Sequence, residues 1–236
     1  MHALISALLA GCTLLYAAGV ARLWRKAGAG RGVSYAHAGL FAGGMLVTVA
    51  ALLSPLHHLA ERLVWAHMLQ HELLMVVAAP LLVMARPVEA WTWSLPLAWR
   101  RGARLPRILH DPLFAWSLHT LAVWGWHVPA LFESAVTSEP MHAAQHLSFF
   151  LTAALFWWTV LAPLSRPIVA IVSLFATMLQ TGALGALMTL SRQPWYAGTT
   201  LEDQQLAGLI MWVPAGLAYP MAALLIGSQW LRRSAT

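Results

Sequence analysis

The chain has 236 residues, of which 60% are hydrophobic and only 9% charged. A water-soluble domain ordinarily carries about 25% charged residues, so this composition excludes a soluble globular protein and makes lipid the natural solvent for most of the surface. The single cysteine, Cys12, excludes an intramolecular disulfide and a CxxC copper motif. The net charge of +6 does not imply a nucleic-acid partner, because the basic residues are sorted by loop rather than gathered into a patch.

A membrane-crossing helix needs about 20 apolar residues. Seven segments meet that requirement, which predicts an all-α polytopic membrane bundle forming a single integral-membrane domain over residues 1–236. The first, Ala3–Leu23, lacks a preceding basic region and is read as a retained helix rather than a signal peptide. Ala36–Leu53 and Leu63–Ala85 follow, and the third carries Pro80. A loop at about 86–111 holds Trp91, Trp93 and Trp99 and is expected to lie in the membrane interface as a short amphipathic helix. Pro112–Phe132 opens with Asp111 as an N-cap and proline at the first helical position, and it contains Pro129. Pro140–Ala162 and Pro167–Leu190 are the fifth and sixth spans. The seventh, Gln204–Leu231, contains Pro214 and Pro220, and Thr200 with Asp203 resembles a capping box before it. The internal prolines should kink their helices and free carbonyls that a packed bundle can satisfy.

Basic residues set the expected orientation. Arg22, Arg25, Lys26 and Arg31 follow the first span; Arg86, Arg100, Arg101, Arg104 and Arg107 follow the third; Arg166 follows the fifth; and Arg232 and Arg233 follow the seventh. Only Arg62 and Arg192 fall on the other side. This asymmetry predicts an amino terminus outside and a carboxy terminus in the cytoplasm.

With that orientation, the eleven histidines are unevenly distributed. His57 and His58 precede the third span, His67 and His71 lie just inside its outer end, His127 closes the fourth, and His142 and His146 open the fifth. Seven histidines thus gather at one leaflet. His67/His71 and His142/His146 are i, i+4 pairs, so each pair shares one helix face. Two such pairs on facing helices could close around one ion, and imidazole suits copper, zinc, iron or nickel. Met68 and Met141 sit beside histidines but point in other helical directions, so they are not counted as ligands. His57 and His58 are read as interfacial anchors and His119 as a hydrogen-bonded buried residue. Glu72 is the one acidic residue buried within a span, where an ionisable group reads as functional. It is expected to face the bundle and to support a ligating imidazole. Asp203 and Gln204 are counted beside it as supporting residues, with capping of the last helix as the alternative.

These residues also carry a family resemblance. The stretch HMLQHELLMVVAAP from His67 to Pro80, WHVP from Trp126 to Pro129, HAAQHLSF from His142 to Phe149 and FWW from Phe156 to Trp158 resemble the CtaG family of cytochrome c oxidase assembly proteins. So do DQQ from Asp203 to Gln205 and AGLIMW from Ala207 to Trp212. The resemblance runs from about His57 to Pro220, and it is the order and spacing of the motifs that make it specific. It departs from the family's pattern at Gln145, where an acidic residue is expected. It implies a multi-pass protein of the bacterial inner membrane that helps to assemble a haem–copper oxidase, with a cytochrome c oxidase subunit as partner. His67, His71, His127, His142 and His146 then occupy the family's histidine positions. The expected role is copper handling, as Cu(I) or Cu(II), without catalytic turnover. The alternative is a membrane electron-transfer protein binding haem or quinone through the paired histidines. A retinal photoreceptor is excluded because Lys26, the only lysine, lies outside the spans, and an intramembrane zinc peptidase because HExxH is absent.

Overall fold

A computed structural model describes residues 2–95, 106–161 and 167–234. The described residues contain helices and no strand. α1 spans His2–Ala27 and α2 spans Tyr35–Leu53. α2 is opened by a reciprocal cap in which Ser34 Oγ accepts from the His37 amide and His37 Nδ1 accepts from the Ser34 amide. A short α3, Pro55–Ala60, then crosses to α4, Val64–Glu72, which runs through a π-helical turn at Leu73–Ala78 into α5, Ala79–Met84. α6 spans Pro87–Ser94, α7 Pro112–Trp126, α8 Pro129–Thr137, α9 Glu139–Leu161, α10 Pro167–Leu190 and α11 Leu201–Ser234.

Six of these stretches are long and apolar enough to cross a membrane, with Val64–Met84 counted as one. The seventh expected span is divided. Val128 precedes proline and is extended (φ −62°, ψ 128°), which stops α7 at Trp126 and lets Pro129 start α8. The 15 residues of α7 rise about 22 Å, short of a bilayer core of about 30 Å. Asp111 caps α7 as expected, with Oδ1 accepting from the Phe114 amide at 2.9 Å. α11 remains one helix of 34 residues through Pro214 and Pro220.

The π turn has a local cause. Pro80 has no N–H, so a carbonyl one turn earlier must lose its partner. The Ala79 amide bonds Leu74 O in the π register, and the Met75 carbonyl is taken instead by the Trp157 indole, 2.9 Å away. The substitute donor lies on α9, so the irregular turn ties α4 and α5 to that helix.

The larger core joins α4, α5 and α7 to α11, with Phe149, Phe156, Leu174, Met188 and Tyr219 fully buried. α10 and α11 meet backbone to backbone at Gly185 and Gly208: a Cβ on Gly185 would stand 2.7 Å from Gly208 O. A smaller core holds α1 through Tyr16, Val20, Leu23, Phe41, Ala85 and Ala90. Within it α6 packs against α1 with Ala90 on Gly19, and Trp91 Nε1 donates to Cys12 O at 3.3 Å. The expected interfacial helix is therefore docked on α1. Trp99, Arg100, Arg101, Arg104, Ala162 and Arg166 lie outside the described residues. Arg22 donates to Ser94 O and Arg86 to Gly32 O, which brings two of the basic loops together at the end of the bundle opposite the paired histidines.

Candidate metal centre

The paired histidines face each other across the bundle. α4 presents His67 and His71, with ring centroids 4.3 Å apart, and α9 presents His142 and His146, 4.4 Å apart. Across the helices the centroids are 5.2 Å (His67–His142), 5.8 Å (His67–His146) and 5.0 Å (His71–His146). A single ion bound at about 2.0–2.1 Å by two imidazoles at a tetrahedral angle would set centroids about 5.2 Å apart, so these spacings suit a shared ion. All four rings are buried. Phe132 packs edge-on to His67 and Phe149 edge-on to His71, closing the cluster with apolar walls.

Many of the ring nitrogens are unsatisfied. Both nitrogens of His71, and Nε2 of His142 and of His146, are buried without a hydrogen-bond partner. Each such group costs about 1–3 kcal/mol relative to a satisfied one, so their concentration in one place calls for a partner from outside the chain, water or an ion. The donor chemistry fits a borderline or soft transition-metal ion. Among the described residues, however, no three His, Cys, Asp or Glu side chains already surround a common point at ligating distance. Tight binding would require the rings to rotate towards one another.

His127 lies at the end of α7 beside the four facing rings, its ring 6.3 Å from that of Phe149. Because the helix stops before Pro129, Val123 O is left at a C-terminus, and His127 Nδ1 donates to it at 2.6 Å. Tyr196, stacked on Phe132 at 3.8 Å, donates its hydroxyl to His127 O at 3.2 Å. Burial pushes the Tyr196 phenol up, which keeps that hydroxyl protonated and donating.

Two further residues belong here. His57 is buried, not an exposed anchor: it stacks on His142 at 5.9 Å, its Nδ1 accepts from Gln70 Nε2 at 3.3 Å, and its Nε2 lies 3.7 Å from Glu61. The same Gln70 nitrogen donates to Ala51 O, which fixes the amide orientation. Gln145, the departure from the family's pattern, accepts from His67 Nε2 at 3.1 Å. His58 stays exposed beside Glu61, and His119 pairs with Thr152 Oγ1 at 3.0 Å, as a satisfied buried histidine should.

The three supporting residues are placed differently from one another. Glu72 is 4% exposed and faces the bundle, but its Oε2 has no partner and no hydrogen bond joins it to an imidazole. Asp203 does not reach the rings. Its two oxygens accept from the Val64 and Trp65 amides, both at 2.9 Å, so a carboxylate on α11 caps the helix that carries His67 and His71. Its own amide bonds Thr200 Oγ1, which completes only half of a capping box. Gln204 holds the turn before α11, accepting from the Trp195 amide at 2.5 Å and donating to Met188 O at 3.2 Å. Neither capping across helices nor Gln204's turn contacts leave a periodic signature in the sequence.

Fold and site together define a multi-pass membrane helical protein with a buried histidine cluster at one end of its bundle. The chain matches the model of the cytochrome c oxidase caa3 assembly factor family, Caa3_CtaG, over residues 14–233, and it belongs to that family. It is accordingly a cytochrome c oxidase assembly factor, a role that calls for no catalysis. No curated protein and no solved structure matched it.

Proposed function

We propose that this assembly factor takes up copper at the outer face of the bacterial inner membrane and passes it to a cytochrome c oxidase subunit in the same membrane. Copper is cargo here, held by His67, His71, His127, His142 and His146 and then released. The observation that carries the reading is the facing of two i, i+4 histidine pairs from α4 and α9, with unpartnered ring nitrogens between them. The orientation is the one read from the basic loops, with the amino terminus outside; α7 returns the chain to the end of the bundle where α4 and α9 bring their histidines together, and that end is then the outer leaflet, where incoming copper would be met. Haem has less support. Two axial imidazoles on one iron stand about 6.3 Å apart by centroid, with a macrocycle between them. The rings here are 5.0–5.8 Å apart across the helices, and Phe149 packs against them.

Replacing His67 and His71 together with alanine removes the whole α4 pair. The expected result is normal protein level in the membrane with reduced copper in the purified protein and reduced oxidase copper and activity in cells. Full copper loading and full oxidase activity in that variant would overturn copper handling through this pair.

A further inference from the structure

We infer that Met68 and His127 form a soft donor pair that selects Cu(I) at this centre. The inference rests on the copper reading above and adds a ligand, Met68, and an oxidation state. Met68 is fully buried on α4, between His67 and His71 in sequence. Its Sδ lies 3.4 Å from His127 Nε2.

The proton count makes this contact unusual. Val123 O can only accept, so the proton of neutral His127 sits on Nδ1, 2.6 Å from that carbonyl. A ring flip would set a carbon at 2.6 Å from the oxygen, which sterics forbid. Nε2 therefore carries a lone pair, and it faces a thioether sulfur that also carries only lone pairs. No hydrogen lies between them. Two electron-pair donors thus converge in a buried site, and a second proton on His127 would place a cation there with Met68 Sδ as only a weak acceptor. A metal ion between the two atoms satisfies both. Bonds of about 2.0 Å to nitrogen and about 2.3 Å to sulfur span 3.4 Å at an angle near 105°, with the ion about 40° off the Nε2–Sδ line, so the Met68 thioether swings aside as the ion takes the Nε2 axis.

The surroundings favour the same outcome. A backbone carbonyl on Nδ1 is the usual device that holds a metal-binding imidazole in the right tautomer and orientation. Tyr196 fixes the same residue from its carbonyl side. Thioether donors select Cu(I) over harder ions, and Cu(I) tolerates low coordination numbers. His71, with both nitrogens buried and unpartnered, lies one helical turn from Met68 and supplies the next donor toward His146. Cu(I) held by Met68 and His127 can therefore pass into or out of the paired histidines by exchanging one donor at a time, with no change of oxidation state.

The test uses the full chain purified in detergent and titrated anaerobically with Cu(I) against a chromogenic chelator, with X-ray absorption on the loaded protein. Met68→Leu conserves volume and apolarity, so packing should persist. The expected result is a sulfur scatterer at about 2.3 Å in the parent protein that disappears in Met68→Leu. Cu(I) affinity should fall roughly tenfold or more. Thermal stability of the metal-free protein should be unchanged. Unaltered affinity, a sulfur scatterer that survives the substitution, or a loss of affinity matched by lost metal-free stability would overturn the inference. Those outcomes would leave copper handling by the histidines intact, whereas absence of any copper binding by the parent protein would overturn both.

Discussion

Asp203 offers the sharpest test of how the histidine helix is held. α4 begins at Val64 after Leu63, which gives no side-chain cap, so its first amides depend on the carboxylate reaching over from α11. Two charge-assisted bonds at 2.9 Å and a negative charge at a helix N-terminus both favour the native position. Losing an N-cap acceptor costs about 0.5–2 kcal/mol, and hydrogen bonds to a charged group contribute about 1.5–3 kcal/mol each. The two figures describe overlapping effects, and half-buried Asp203 admits some water to the vacated amides. Asp203→Ala should therefore destabilise the protein by about 2–3 kcal/mol, with Asp203→Asn, which keeps one oxygen acceptor, falling in between. The assay is equilibrium unfolding in micelles, paired with hydrogen exchange at the Val64 and Trp65 amides. Parent-like stability together with parent-like protection of those two amides would show that α4 is capped by something else.

Two further substitutions probe other links. Trp157→Phe retains the ring but removes the donor to Met75 O, leaving a carbonyl orphaned beside Pro80; it should cost about 1–3 kcal/mol in micelle unfolding, and an unchanged midpoint would refute the account of the π turn. Glu72→Gln replaces the buried carboxyl group next to His71 in sequence, whose Oε2 is free to meet a ligating imidazole when the rings turn onto an ion; it should lower copper affinity while membrane insertion stays normal, and unchanged affinity would reduce Glu72 to a packing residue.

Composition and hydropathy were enough to establish a helical membrane protein, since 9% charge cannot cover a soluble surface and six long apolar helices are present among the described residues. Helical periodicity was enough to set each histidine pair on one face, because residues four apart stack whatever surrounds them. The sequence motifs were enough to suggest the family. Rotation of one helix against another was not legible, because it depends on contacts such as Gly185 on Gly208, and no local pattern encodes a partner. For that reason the stacking of His57 on His142, the Gln145–His67 bond, the Met68–His127 contact and the placement of Gln204 against Trp195 and Met188 appear only in three dimensions. Within an apolar run Pro129 reads as a kink, but here it ends α7 and leaves Val123 O for His127. From the sequence Asp203 reads either as a support for the histidines or as a cap for its own helix, because capping signals are read along the chain. The tertiary structure gives its carboxylate to α4 instead, since the Val64 and Trp65 amides have no local acceptor and α11 packs beside them.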